Sequence, residues 1–246
     1  MTSRGKNRFY VKDSIVPFEE DMTHEFKGHR NLGGEEIPEW CWIPGTNRRS
    51  RKAVSRNINA FLNTGKGGIV LLGITDEGRA KGIPLDDYQK DHILVAMKDL
   101  MTRYTPPVPD DKYKIEIIPV IQKDEMWKNN AIKKTSISSQ AVDPNRLKPH
   151  LLRTSKYCWC DLLAVEKYSK GILSKEFVIE LTIYPYTTPP LTFEDGSYHL
   201  DLHPVYQDEE GNCLFRRQAS LVQYNLQEVV DLTIHEIQGH FLHVLE

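Results

Sequence analysis

Cysteine is scarce and long apolar runs are missing. Four cysteines in 246 residues (Cys41, Cys158, Cys160 and Cys213) are too few for a disulfide scaffold, and they suit a reducing setting. No stretch of 18 or more apolar residues occurs, so no transmembrane helix is expected within this span. The first residues, Met1-Thr2-Ser3-Arg4-Gly5-Lys6-Asn7-Arg8, lack the apolar segment of a secretory signal. These absences together lead to the expectation of an intracellular, cytoplasmic chain. An excess of one charge is missing too. With 32 Lys and Arg against 34 Asp and Glu the net charge is −2, which argues against binding nucleic acid through bulk charge. There is no internal repeat and no low-complexity tract. With 39% hydrophobic and 27% charged residues, the composition is that of an ordinary globule able to bury a sizeable core.

Charge is uneven in its placement. Arg48, Arg49, Arg51, Lys52 and Arg56 cluster in one stretch, and Lys66 follows. Such a basic patch can contact a phosphate backbone whatever the total charge, although a basic run is more often a solvated face. Trp40, Trp42 and His29 precede it; they suit either stacking on unpaired bases or a subunit interface, where Trp is enriched, and the interface is preferred.

The expected fold class is α+β: a mixed, mostly antiparallel sheet with flanking helices, forming a single lobe with loop insertions. Residues 1–18 read as an N-terminal arm with a short strand near Phe9, Tyr10 and Val11, and residues 19–246 as one domain with an insertion at about 122–157. Alternation marks a strand over 22–27, where Glu25 and Lys27 share a face. Residues 28–50 read as a long loop. Val54, Ile58, Phe61 and Leu62 fall at helical spacing within 51–63, and Gly65-Lys66-Gly67-Gly68 ends that helix. A buried strand follows at 69–74, a turn at 75–83 and an amphipathic helix at 87–104. Strands are expected at 113–121, 160–165, 176–184, 198–206 and 212–216, and a terminal helix at 226–245. The glycine run is no phosphate loop: helix, glycines and strand come in the reverse of the required order, and no Ser or Thr follows the Lys.

The sharpest chemical feature is a set of three carboxylates, Glu20, Glu25 and Asp76, on neighbouring elements, with Lys27 on the face of Glu25. Acids gathered in this way need a cation between them. Either nearby Lys and Arg side chains neutralise them, or they ligate a hard divalent ion, Mg²⁺ or Mn²⁺, of the kind that drives phosphodiester cleavage. In the second case Lys27 would steady the developing charge. On spacing alone the ion-pair reading is the stronger.

Two long patterns carry a resemblance. Glu20-x4-Glu25-Phe26-Lys27 is followed by Asn59-Ala60-Phe61-Leu62-Asn63-Thr64-x-x-Gly67-Gly68-x4-Gly73-x-x-Asp76-x-Gly78, and later by Gly211-Asn212-Cys213-Leu214-Phe215-Arg216-Arg217. The first resembles the catalytic lobe of the Schlafen family over residues 20–100; the second resembles the closing strand of small Schlafen-like proteins. The resemblance implies a metal-dependent endoribonuclease acting on structured RNA such as tRNA, or on small-RNA (piRNA) precursors. It places Glu20, Glu25 and Asp76 on the catalytic, metal-binding triad. Vertebrate members of the long class carry zinc on a Cys-Cys pair in a strand; the corresponding stretch here, residues 179–186, has no cysteine. Cys158-x-Cys160, with His150, Cys41 or Cys213, could replace it, but a lone Cys-x-Cys is a weak zinc pattern and buried free thiols are the usual explanation. The chain holds about one lobe of motif where the long members close a cleft with two. The resemblance therefore also implies RNA as partner, and a homodimer or a heteromer with another Schlafen-like subunit. The alternative is a non-catalytic RNA- or protein-binding scaffold. A DNA-binding regulator ranks last, since no helix-turn-helix pattern is present.

Overall fold

The computed structural model describes residues 8–28, 52–125, 144–152, 157–172, 175–187 and 202–244. Its centre is a six-stranded mixed sheet in the order β1-β5-β6-β3-β2, with β4 also on β6. The strands are β1 (Tyr10–Val11), β2 (His24–Lys27), β3 (Gly68–Leu72), β4 (Ile83–Pro84), β5 (Tyr113–Ile121) and β6 (Glu176–Ile183). β5, β3 and β4 lie antiparallel to β6, while β1 runs parallel to β5 and β2 parallel to β3. The segment that reads as an arm thus supplies an edge strand of the sheet.

Alternation along β6 explains how the sheet is covered on both sides. Phe177, Ile179, Leu181 and Ile183 enter one core with Val70 and Leu72 of β3, under α1 (Lys52–Thr64) and α2 (Asp87–Met101). Val178 enters a second core on the opposite face with Phe26, Leu71, Ile74 and Val16. Side chains two apart share a face, so one register serves both layers. Glu180 also falls on the second face, where it is buried and held by Tyr10 Oη at 2.6 Å and Arg8 Nη2 at 2.6 Å.

α1 has the apolar stripe its spacing demands, with Val54, Ile58 and Phe61 wholly buried. Its polar side is buried as well, by a hairpin of β7 (Cys213–Arg217) and β8 (Ser220–Tyr224). Asn59 and Asn63, one turn apart, replace a strand partner. Asn59 Oδ1 accepts from Leu214 N at 2.7 Å, and Asn63 Oδ1 from Tyr206 N at 2.7 Å. Asn63 Nδ2 donates to Tyr206 O at 2.9 Å and Leu214 O at 3.0 Å. Buried backbone groups must be paired, and these amides pair them.

The turn between α1 and β3 needs its glycines. Gly67 has φ +68, and a Cβ there would lie 2.5 Å from Ile183 O. A Cβ on Gly68 would lie 2.5 Å from the Phe61 ring. This is a close-packed turn. α2 begins on a capping box: Asp86 accepts from Gln89 N at 2.9 Å, and Gln89 Oε1 accepts from Asp86 N at 3.2 Å.

Two expectations are corrected. Residues 160–165 are not a strand but part of helix α3 (Trp159–Ser169). The short run Leu162-Leu163-Ala164-Val165 has no period that separates strand from helix, and its continuation through residue 169 reaches helical length. The strand expected at 198–206 is not found: residues 202–206 are irregular, 198–201 lie outside the described residues, and β7 pairs with β8. The final element is α4 (Leu226–Val244). Among the described residues no helix is long and apolar enough to cross a membrane.

Candidate active site

Glu25 lies on β2, opposite Val70 of β3, so its side chain faces α1. It is only 7% exposed. Lys27 Nζ, two residues on along the same face, donates to Glu25 Oε1. Asn57 Nδ2 of α1 donates to the same oxygen at 2.9 Å. Arg216 of β7 meets Glu25 Oε2 at 2.7 Å. A buried carboxylate is tolerable only when its charge is met and its lone pairs are filled, and here both conditions hold.

Arg216 joins three elements. Its side chain is 0% exposed. Nη1 donates to Asn57 Oδ1 at 2.7 Å, Nε to Asp21 O at 2.9 Å, and Nη2 to His24 O at 3.0 Å. The guanidinium lies 5.1 Å from the centre of the Phe61 ring. A planar group with five donors suits this task, whereas an ammonium could not span it. β7 presents Arg216 inward and Arg217 outward, as strand alternation requires.

The other acids are held differently. Glu20 is half-buried, and its Oε1 accepts from Phe26 N at 2.7 Å. Asp76 is exposed, in the turn closed by Gly78 N donating to Thr75 O at 2.8 Å. Asp21 caps the start of β2, its Oδ1 accepting from Thr23 N at 2.7 Å and His24 N at 2.8 Å. Burial pushes the Asp21 carboxyl up, but these bonds outweigh it and bring the group to about 2.

The structure thus brings Glu25 and Lys27 into contact and sets Glu20 on the same strand's backbone, with Asp76 in a solvent-facing turn. The three acids are hard oxygen donors by type, but among the described residues they do not form a group whose donor atoms converge. Of the basic residues, Arg56 on α1 reaches Glu210 Oε2 at 3.6 Å, and Lys66 is exposed in the turn after α1. Lys52 opens α1, but its side chain lies outside the described residues, as do Arg48, Arg49, Arg51, Trp40, Trp42, His29 and Cys41. Sequence reasoning missed Arg216 and Asn57. A paired Arg216-Arg217 on an otherwise apolar strand was the available signal, since one of the two must point inward.

A second cluster lies apart from this one. His92, His150, Cys158 and Cys160 place one donor atom each within 4.8 Å of one another, a group of metal-ligating side chains found among the described residues. Of the partners weighed for Cys158 and Cys160, His150 is there and Cys213 is not; His92, 58 positions before His150 in the chain, was not foreseen.

The family model described as Schlafen, AlbA_2 matches residues 20–225. The chain belongs to the Schlafen family. The match takes in β2 with Glu20, Glu25 and Lys27, the turn with Asp76, and β7 with Arg216. Membership gives this Schlafen domain a nucleic-acid-related function.

Proposed function

We propose that this Schlafen domain is a metal-dependent endoribonuclease, or the catalytic subunit of one, that cleaves structured or precursor RNA such as tRNA or piRNA precursors. The observation that supports the reading most is the buried Glu25, fixed in one orientation by Lys27, Asn57 and Arg216 at the edge of β2. Such positioning is what an acidic ligand or base requires, because catalysis depends on groups held in place before the reaction.

In this reading Glu20, Glu25 and Asp76 hold Mg²⁺ or Mn²⁺, which supplies a polarised phosphate and an activated water. Lys27 offsets the charge that develops on the phosphate. Arg216 and Asn57 keep the Glu25 carboxylate from turning away. Arg56 and Lys66, with Arg48, Arg49, Arg51 and Lys52, contact the RNA backbone. A second Schlafen-like lobe, from a copy of this chain or a related subunit, supplies the opposite wall of the cleft.

The same contacts favour a second reading. Glu25 already has two cationic partners, so its burial needs no metal, and a non-catalytic RNA- or protein-binding scaffold would use the same ion pairs. Cleavage of a labelled structured RNA with Mn²⁺ separates the two. Asp76→Asn is the informative variant beside Glu25→Ala, because Asp76 is exposed and its loss leaves the fold intact. The enzyme reading expects cutting by the wild type, inhibition by EDTA, and a loss of at least about 100-fold in both variants, since a metal ligand contributes several kcal/mol of charge stabilisation. No cutting by the wild type under any divalent ion, with or without a partner subunit, would leave the scaffold.

A further inference from the structure

We infer that His92, His150, Cys158 and Cys160 form a structural zinc site that fastens α3 to α2, a site independent of whether the chain cleaves RNA.

The donors come from three places. His92 lies on α2, His150 in the segment before α3, Cys158 at the residue preceding α3, and Cys160 in its first turn. Both cysteines are 0% exposed, and neither is in a disulfide. His92 Nδ1 is 3.2 Å from Cys160 Sγ, and His150 Nδ1 is 3.6 Å from Cys158 Sγ. Zinc bonded at about 2.0 Å to nitrogen and 2.3 Å to sulfur in a tetrahedron sets neighbouring donors roughly 3.3–3.8 Å apart. The observed spacing is close to that. Two imidazoles and two thiols are a common donor set for zinc, and four protein ligands leave no open position, which makes the site structural rather than catalytic.

The surroundings support the ligands as a metal site would need. His150 Nε2 meets Asp91 Oδ2 at 2.9 Å. That bond fixes Nε2 as the protonated nitrogen and turns Nδ1, with its lone pair, toward Cys158; a carboxylate behind a histidine is the usual outer support of a zinc ligand. Leu151 N donates to Cys158 Sγ at 3.4 Å, which helps to hold the sulfur in place. His150 also stacks on Trp159, with ring centres 5.2 Å apart and planes within 9°, so the ring cannot swing away.

A second, independent observation is how little else among the described residues holds α3. Only Cys160 and Asp161 of this helix are buried, while Leu162, Val165 and Tyr168 are 58%, 68% and 63% exposed. Its other direct ties to α2 are few: Gln89 Nε2 to Asp161 Oδ1 at 2.8 Å, Lys167 Nζ to Asp86 Oδ2 at 2.8 Å, and an edge-on contact of the Tyr88 and Trp159 rings, 5.1 Å between centres. Burial of so little apolar surface supplies little docking energy, and a metal cross-link supplies the rest. On binding, each thiol releases its proton to solvent as its sulfur bonds the ion, with no change of oxidation state. The position also differs from the strand-borne Cys-Cys pair that the resemblance implied, since β6 contains no cysteine.

The test uses the full chain, purified without chelator, with zinc measured by mass spectrometry. The expected result is about one zinc per chain, and Co²⁺ exchanged into the site should give the sulfur-to-cobalt charge-transfer band and intense d–d bands of four-coordinate Co²⁺. The double variant Cys158→Ser, Cys160→Ser should carry none. Because that variant could misfold, Asp91→Ala serves as the second: Asp91 is exposed and, among the described residues, meets His150 alone, so the chain should fold as the wild type yet hold zinc about 10–100-fold more weakly. A wild-type chain that carries no zinc and gives no cobalt–thiolate band would overturn the site, as would full zinc retention by the double variant.

Discussion

Arg216 shows how one side chain can decide the state of another. Its guanidinium meets Glu25, Asn57 and two backbone carbonyls in a wholly buried position. Arg216→Ala would leave Glu25 with Lys27 and Asn57 only, and would strip a donor from the part-buried carbonyls of Asp21 and His24. Breaking a buried pair by removing one partner costs about 3–5 kcal/mol, and urea denaturation should record a loss of that size. Arg216→Lys should recover only part of it, because one ammonium cannot reach all four acceptors. A loss under about 1 kcal/mol for Arg216→Ala would mean that the pair contributes little net stability, as well-exposed pairs do.

At the scale of elements, α1 is the piece that other elements depend on. It packs on the sheet through its apolar stripe and holds the β7–β8 hairpin through Asn59 and Asn63. Replacing Asn63 by Leu keeps similar bulk but takes the partner from Tyr206 N and Leu214 O, while Tyr206 O keeps Asn59 Nδ2, at about 1–3 kcal/mol for each buried group so orphaned. Hydrogen exchange of the β7 amides should accelerate in this variant, while β3 and β6 amides change little, because the hairpin opens without the central sheet. Uniform acceleration across both sheets would instead mean that the hairpin and the sheet unfold as one unit. Since Arg216 sits on β7, loosening the hairpin also loosens Glu25.

For the whole molecule, the question is whether one lobe suffices to grip RNA. The net charge of −2 gives little long-range attraction for a polyanion, and a basic wall from a second subunit would supply it. Light scattering on the purified chain, alone and with related Schlafen-like subunits, should show an assembly of two or more lobes in the form that cuts RNA. A strict monomer that cuts RNA would refute this arrangement.

Local pattern was enough for much of this protein. The α1 stripe, the strand at 113–121 and the pairing of Glu25 with Lys27 on one face follow from periods of 3.6 and 2, which a sequence displays directly. The glycine run between α1 and β3 is likewise a turn by its residue types. What only tertiary structure decided was partnership across distance. Nothing near Glu25 in the chain announces Arg216, nearly two hundred residues away, and nothing near Cys158 announces His92. The stretch 160–165 reads as a strand because a short apolar run carries no period, and only its continuation to Ser169 gives it helical length. Periodicity reports which way a side chain faces; only the assembled fold settles what it meets there.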